Sequence, residues 1–194
     1  MANYLLINEG FASKITDDIL NKDILTISHY AYPIVFGLVR NIKNFWEINS
    51  TSICSRRSMK KSLKTINKKG NSLILIGKSM GSVEINDLLI NKYKKYFSKF
   101  DKIAYVCVDG HGKLFKNIFG RGYGEKKPFI KKQWKNIKIW NYFQINSYPK
   151  GANYINADHN EMIEMVDGIK TSHWSIIRSI EVMDGIRQAS LYID

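Results

Sequence analysis

The sequence has few cysteines and no long hydrophobic run. Its 194 residues include only two cysteines, one in the polar stretch STSICSRR and one in the apolar run IAYVCVDG. This pair gives neither a disulfide framework nor a metal-ligand spacing. No apolar stretch approaches the roughly 20 residues that cross a bilayer, and the start, MANYLLINEG, lacks the basic region and cleavage site of a secretory signal. We therefore expect a cytoplasmic protein without a transmembrane segment, and we expect neither a metal nor a cofactor.

Acidic residues are also scarce: the sequence has 17 of them and 30 lysines and arginines, which gives a net charge of +13. Such a balance raises the question of a nucleic-acid partner. The excess is mostly lysine, however, and clusters such as RRSMKKSLKTINKKG alternate with apolar residues, as on the solvated face of an amphipathic helix. No nucleic-acid-binding motif is recognisable. We expect no nucleic-acid partner, and a basic nucleic-acid-associated protein is kept as the less favoured alternative.

Short apolar runs alternate with helical patterns along the whole chain. Several runs are apolar at successive positions, which is typical of strands covered on both faces. The predicted strands are residues 4–7, 24–27, 73–76, 103–108 and 137–143, and the predicted helices are residues 55–69, 80–96 and 175–188. Strands separated by helices indicate a mostly parallel sheet of about five to six strands with helices on both faces. We predict a single α/β domain over residues 1–194, in which the glycine-rich segment 110–134 forms a lid-like loop.

The stretch NSLILIGKSMGSVEI contains two overlapping motifs. One is Gly-Lys-Ser, the end of a phosphate-binding loop, which needs a glycine five positions before Gly77. That position is Ser72, and the residues between them are the predicted strand, so no loop is left to surround a phosphate. A nucleotide-binding function is therefore not indicated.

The other motif, Gly77-x-Ser79-x-Gly81, fits a nucleophile elbow, the strand–turn–helix unit that presents a reactive serine. The serine stands at the tip of a strained turn, so the residues two positions away must be small. A predicted strand precedes the motif, and a predicted helix follows it with its dipole directed toward the serine. Ser79 is therefore the candidate nucleophile.

Two backbone N–H groups are candidates for the oxyanion hole. One belongs to Met80, the residue after the serine, and the other to Phe11, in the loop NEGFAS after the first strand. Gly10 in that loop would let the backbone approach the substrate closely. An ordinary strand-to-helix turn explains the same stretch, and this alternative stays open.

The acid of a catalytic triad is expected at the same edge of the sheet as the serine. Asp109 directly follows the predicted strand 103–108 and meets this requirement. The alternative interpretation is a turn aspartate beside a glycine, which is common. Asp109 is the candidate acid.

Four histidines compete for the role of the base. His29 precedes the serine, and His111 follows Asp109 so closely that it is better placed to line the site. His173, in KTSHWSI, comes late in the chain and precedes the last helical segment, where the base of such a sheet is expected. His159 lies in the polar stretch NADHNEM, which is typical of a solvated turn, and is the remaining alternative. We favour His173.

With these residues in place, the chain resembles the α/β-hydrolase superfamily, in a small lipase- or esterase-like form. The resemblance covers most of the chain and rests on LLINEGF, LILIGKSMGS, VCVDGHG and SHWSI. It implies a serine at the carboxyl edge of the sheet and cleavage of ester, thioester or amide bonds. The chain departs from the family in its Asn-Glu-Gly oxyanion loop, where His-Gly is frequent, in its missing first strands and in the absence of a cap domain. In many members the acid follows the next strand, and in a subset it stands where Asp109 stands.

These features predict a serine esterase or lipase-like hydrolase that acts on a small-molecule or lipid acyl ester. Trp174, beside the candidate base, and the aromatic residues of the segment 110–134 would either line an apolar acyl pocket or pack the loop. A catalytically silent protein of the same fold, which binds a partner or a lipid, is the main alternative.

Overall fold

One parallel sheet organises the part of the chain that the computed structural model describes, which is residues 2–10, 26–48, 53–110, 134–147, 151 and 157–194. Six strands form this sheet, and two further strands form a small antiparallel hairpin. The strands are β1 (Ala2–Asn8), β2 (Ile42–Ile48), β3 (Asn71–Lys78), β4 (Lys102–Val108), β5 (Ile137–Phe143), β6 (His159–Met162), β7 (Met165–Val166) and β8 (Ile169–Lys170). The predicted α/β class and parallel sheet are confirmed.

Helices cover both faces of the sheet, as predicted. They are α1 (Ile27–Leu38), α2 (Ile53–Ile66), α3 (Met80–Tyr96), a 3₁₀ turn (Ser175–Arg178) and α4 (Ile180–Ile193). Leu75 of β3 belongs to the core cluster under α2 and α3, and its neighbour Ile76 belongs to the cluster under α1 and α4. Both side chains are fully buried. Coverage of both faces explains why the strand is apolar at successive positions.

The order of the strands reverses at one point of the sheet. The order is β2-β1-β3-β4-β5-β6, and every neighbouring pair is parallel. The chain therefore moves from β1 to one side, and then returns to add β3 on the other side. Ligand sites of open parallel sheets lie at such a reversal, outside the carboxyl ends of the strands. Here the reversal falls between β1 and β3.

The predicted strand 24–27 is wrong where the structure describes it. Ile27 begins helix α1, while residues 24 and 25 lie outside the described ranges. A short apolar run fits a buried helix as well as a strand. Two contacts stabilise the start of this helix: Thr26 and His29 form a local cap, and the carboxylate of Glu9 accepts hydrogen bonds from the backbone N–H groups of Ile27 and Ser28.

The sequence does not predict two of the edge strands. In β2, the register against β1 shifts between Asn3 and Tyr4, so that Lys43 is an extra residue and the alternation of the sequence IKNFWEI is broken. Strand β6 has the polar sequence HNEM, which favours a solvated turn. Both strands lie at sheet edges, where the apolar signal of a buried strand is weakest.

The other helix predictions agree with the structure to within a few residues, and α3 has the predicted bounds. The predicted helix 175–188 is divided at Ser179, whose side chain accepts a hydrogen bond from Val182 N–H and begins α4. Within the described ranges, no helix has the length and apolar composition of a membrane span. Of the predicted lid-like loop, residues 111–133 lie outside those ranges.

Candidate active site

Ser79 forms the turn between β3 and α3 with a strained backbone. Its φ of 55° and ψ of −125° fall outside the regions that L-amino acids favour. Its N–H donates to the Val108 carbonyl at 2.9 Å, and its own carbonyl accepts from Val83 N–H at 3.2 Å. The neighbouring strand and the helix thus hold the turn from both sides. This is the backbone geometry that the elbow motif predicts.

The two glycines of the motif are required by close backbone approaches. A β-carbon on Gly77 would lie 2.9 Å from the α-carbon of Ser82, in the first turn of α3. A β-carbon on Gly81 would overlap the carbonyl group of Asn8, at the end of β1. The elbow is therefore packed tightly against its own helix and against the neighbouring strand.

Gly10 lies directly against the elbow. Its φ is 82°, and a β-carbon there would fall 2.7 Å from the carbonyl oxygen of Lys78 and 3.1 Å from the backbone nitrogen of Met80. Met80 opens α3, where backbone N–H groups have no partner within the helix. The missing side chain at Gly10 therefore keeps open the space beside the first predicted oxyanion donor. The second, Phe11, lies outside the described residues.

Asp109 and His173 form a buried hydrogen-bonded pair although 64 positions separate them. Asp109 directly follows β4 with a φ of 48°, and its exposed fraction is 0 %. His173 is 2 % exposed, and its Nδ1 shares a hydrogen bond with Oδ2 of Asp109. A carboxylate at Nδ1 fixes the orientation of the imidazole and directs Nε2 to proton transfer.

Gln144 also binds the carboxylate of Asp109. Its backbone N–H donates to Oδ1 at 3.2 Å, and its Nε2 donates to Oδ2 at 3.1 Å. Its Oε1 accepts from Ser147 N–H at 2.8 Å, so the amide is itself fixed. Sequence reasoning missed Gln144, although it directly follows β5 as Asp109 follows β4. This shared position at the end of neighbouring strands was the available signal.

The backbone of the loop that carries the base is anchored near the same point. His173 N–H donates to Ser147 Oγ at 2.8 Å, and Thr171 N–H donates to the carbonyl of Glu164 at 2.9 Å. Ser172 N–H donates to Ser175 Oγ at 2.8 Å, which closes the turn into the 3₁₀ helix. Hydrogen bonds thus fix the imidazole through both its ring and its backbone.

The sheet register brings the predicted site residues to one edge. Lys78 of β3 is paired with Val108 of β4, so Ser79 and Asp109 follow paired positions on neighbouring strands. The ammonium of Lys78 lies 5.0 Å from the centre of the Trp174 ring. The residue before Ser79 therefore contacts the residue after His173. All three candidate triad residues are gathered at the carboxyl edge of the sheet.

Two further buried ionisable residues, Glu9 and Lys78, which sequence reasoning did not assign, lie at this edge. Glu9 is 3 % exposed, and burial raises its pKa, while hydrogen bonds from Ser28 and the charge of Lys78 act in the opposite direction. Burial lowers the pKa of Lys78, against the attraction of Glu9 and Asp109. At this edge, burial thus opposes the charged forms of Glu9 and Lys78, while their mutual attraction favours them.

The other histidines lie elsewhere or outside the described residues. His159 is exposed in β6, where its Nε2 lies 2.7 Å from Oε2 of Glu161. His29 is in the first turn of α1, and its Nδ1 is 2.8 Å from Oγ1 of Thr26. His111 belongs to the part that is not described. Among the described histidines, the one hydrogen-bonded to Asp109 is His173.

No group of three or more histidine, cysteine, aspartate or glutamate side chains suited to a metal ion occurs among the described residues.

Cys107, on β4, is completely buried, and burial raises the pKa of its thiol to about 11. The thiol is therefore protonated at neutral pH and is a poor nucleophile. Ser79 is the better-placed nucleophile at this edge of the sheet.

Comparisons of the chain with protein-family models, with curated proteins and with solved structures found no match.

Proposed function

We propose that the protein is a serine hydrolase that cleaves a carboxylic ester or thioester through an acyl-enzyme on Ser79, as expected for the α/β-hydrolase superfamily that the sequence resembles. The observation that carries this proposal is the buried hydrogen bond between Asp109 and His173, at the sheet edge where Ser79 forms a strained turn. A buried carboxylate that orients an imidazole is the arrangement that activates a serine hydroxyl.

In the proposed reaction, His173 Nε2 takes the proton of the Ser79 hydroxyl while its oxygen attacks the acyl carbon. Asp109 keeps the proton on Nδ1 and stabilises the imidazolium that forms. His173 then gives the proton to the leaving alkoxide or thiolate, and the acyl group remains on Ser79. Water, deprotonated by the same imidazole, releases the acid and regenerates the hydroxyl.

The negative charge on the carbonyl oxygen needs hydrogen-bond donors. Met80 N–H at the start of α3 is the first donor, and the helix dipole adds to it. Phe11 N–H is proposed as the second donor from the sequence. Each such donor lowers the barrier by about 3 kcal/mol. We place Gly10 and Trp174 next to the substrate, and His111 is assigned there from the sequence alone.

The proposal is tested with a fluorophosphonate probe, which phosphonylates an activated serine. We expect wild-type protein to be labelled and Ser79→Ala to be inert. His173→Ala and Asp109→Asn should be labelled ~10³–10⁴-fold more slowly, because each loses the activated base. Ser58→Ala, an exposed serine on α2, and His159→Ala, an exposed histidine, are the matched controls and should react like wild type.

Each variant is checked for folding by urea denaturation, so that lost labelling is attributed to chemistry. A folded wild-type protein that the probe does not label would contradict the proposal and leave the catalytically silent alternative in its place. Equal labelling of wild type and His173→Ala would contradict the role of the base. For the substrate, hydrolysis of p-nitrophenyl esters from acetate to palmitate measures the acyl length that the site accepts.

A further inference from the structure

The side chains of Lys78 and Trp174 connect the elbow to the loop that carries the base. Lys78 immediately precedes Ser79, and Trp174 immediately follows His173. The ammonium of Lys78 lies 5.0 Å from the centre of the indole ring, within the range of a cation–π interaction. The contact therefore joins the direct neighbours of Ser79 and His173, the two proposed reacting residues.

The two partners differ in how firmly packing holds them. Lys78 is 5 % exposed, and it is the last residue of the buried strand β3. Trp174 is 41 % exposed, so apolar burial fixes its ring only in part. The rings of His173 and Trp174 also meet edge to face, with centres 5.3 Å apart. A displacement of the Trp174 ring therefore acts directly on the imidazole.

Two acidic residues beside Lys78 oppose the lowering of its pKa by burial. The carboxylates of Glu9, after β1, and Asp109, after β4, both attract its ammonium. His173 and Trp174 are the groups that face this cluster from the base-bearing loop. Glu9 is tied to the start of α1, so Lys78 is held between groups that belong to three separate segments. These neighbours hold the side chain of Lys78 in place for its contact with the Trp174 ring.

We propose that Lys78 is a positioning residue, whose positive charge holds Trp174 and thereby keeps His173 over Ser79. This inference rests on the proposed function, because it assigns a positioning residue to the same site. The reaction of Ser79 then depends on the charge of a residue that takes no part in proton transfer.

The sign of the pH dependence follows from burial. Because burial lowers the pKa of Lys78 from 10.5, its charge is lost at a lower pH than that of an exposed lysine. Loss of the charge releases Trp174, so the reactivity of Ser79 falls on the alkaline side. An arginine remains charged throughout this range, and a methionine is never charged.

The test measures the rate of fluorophosphonate labelling against pH in wild type, Lys78→Met and Lys78→Arg. We expect Lys78→Met to react about tenfold more slowly at neutral pH and to lose the alkaline decline, since small displacements of a base are costly. Lys78→Arg should restore most of the rate and move the decline to higher pH. Lys138→Met is the matched control: this exposed lysine lies 5.5 Å from the Trp140 ring, away from the elbow, and its loss should change nothing.

A second readout does not need a reactive serine. Tryptophan emission is titrated in wild type and in Trp174→Phe, and the difference reports Trp174 alone. We expect an alkaline transition in this difference, and we expect the transition to be absent in the background of Lys78→Met. Persistence of the transition without Lys78 would overturn the proposal, as would a folded Lys78→Met protein with the wild-type labelling rate and profile. Absence of labelling in wild type itself would instead overturn the proposed function, and this inference with it.

Discussion

Gly10 lies against the backbone of Lys78: a β-carbon on Gly10 would fall 2.7 Å from the Lys78 carbonyl oxygen. This approach joins the end of β1 to the elbow at the end of β3. The same β-carbon would lie 3.1 Å from the backbone nitrogen of Met80, the proposed oxyanion donor. The close packing of two backbones at the reversal of the strand order is thus the structural condition for the proposed chemistry.

Substitution Gly10→Ala is expected to impair both folding and labelling. A φ of 82° is unfavourable for alanine, and the methyl group would meet the elbow. We expect a loss of about 2 kcal/mol in the free energy of unfolding. Fluorophosphonate labelling of the remaining folded protein should slow about 10²-fold, because the methyl group approaches the Met80 donor.

Gly37→Ala is the matched control for this prediction. Gly37 lies inside α1, and no atom comes within 4 Å of the position that a β-carbon would take there. This change should stabilise the protein by about 0.5–1 kcal/mol and leave labelling unchanged. Equal behaviour of the two variants in urea denaturation would contradict the close approach at Gly10.

Substitution Glu9→Gln is expected to change how stability depends on pH. Because burial raises the pKa of Glu9 above its value in the unfolded chain, the folded state binds the proton more tightly. The contribution of Glu9 to stability is therefore fully present below about pH 4.5 and is lost as the pH rises through the raised pKa. The free energy of unfolding of wild type should therefore exceed that of Glu9→Gln by more at pH 4.5 than at pH 7.5.

Urea denaturation of both proteins at the two pH values measures this difference, and other carboxylates cancel in the comparison. The difference in the free energy of unfolding between wild type and Glu9→Gln could instead grow from pH 4.5 to pH 7.5. That would show that attraction to Lys78 and the hydrogen bonds at the start of α1 outweigh burial. That result would reverse the stated direction for Glu9.

Substitution Gln144→Glu is expected to destabilise the protein strongly at neutral pH. It replaces the amide that donates to Asp109 by a carboxylate, which places like charges together in a buried site. We expect a loss of about 3–5 kcal/mol. Gln144→Met removes the hydrogen bond without adding charge and should cost about 1–3 kcal/mol.

The order of these two effects, measured by urea denaturation at pH 7.5, separates charge repulsion from loss of a donor. The labelling rate should fall in the same order, because both changes release the carboxylate that orients His173. Equal stability of the two variants would contradict the buried contact between Gln144 and Asp109.

The local features of this fold were predictable because they depend on neighbouring residues. A run such as Leu73–Ile76 identifies a strand buried on both faces, and the pattern after Ser79 gives α3 with its observed bounds. The glycines at 77 and 81 indicate a tight turn between them. Where the alternation was broken, as at Lys43 in β2, or where the strand was polar, as in β6, this local signal was absent and the strands were missed.

Helix α1 shows why a short apolar run misleads. The carboxylate of Glu9, which lies 18 residues before Ile27, accepts a hydrogen bond from the Ile27 N–H and stabilises the start of the helix. No property of the sequence around Ile27 contains that contact. The sequence around Ile27 holds only the local part of the helix start, the cap formed by Thr26 and His29.

The sequence by itself determined the α/β class and the strand–turn–helix unit around Ser79, because periodicity and turn chemistry act over a few residues. Only the tertiary structure decided which histidine meets Asp109, that Gln144 holds the same carboxylate and that Lys78 reaches Trp174. These partners are 35 to 96 positions apart, and parallel strand pairing brings them to one edge. Contacts of that kind are set by the register of the sheet, which no single segment of the chain encodes.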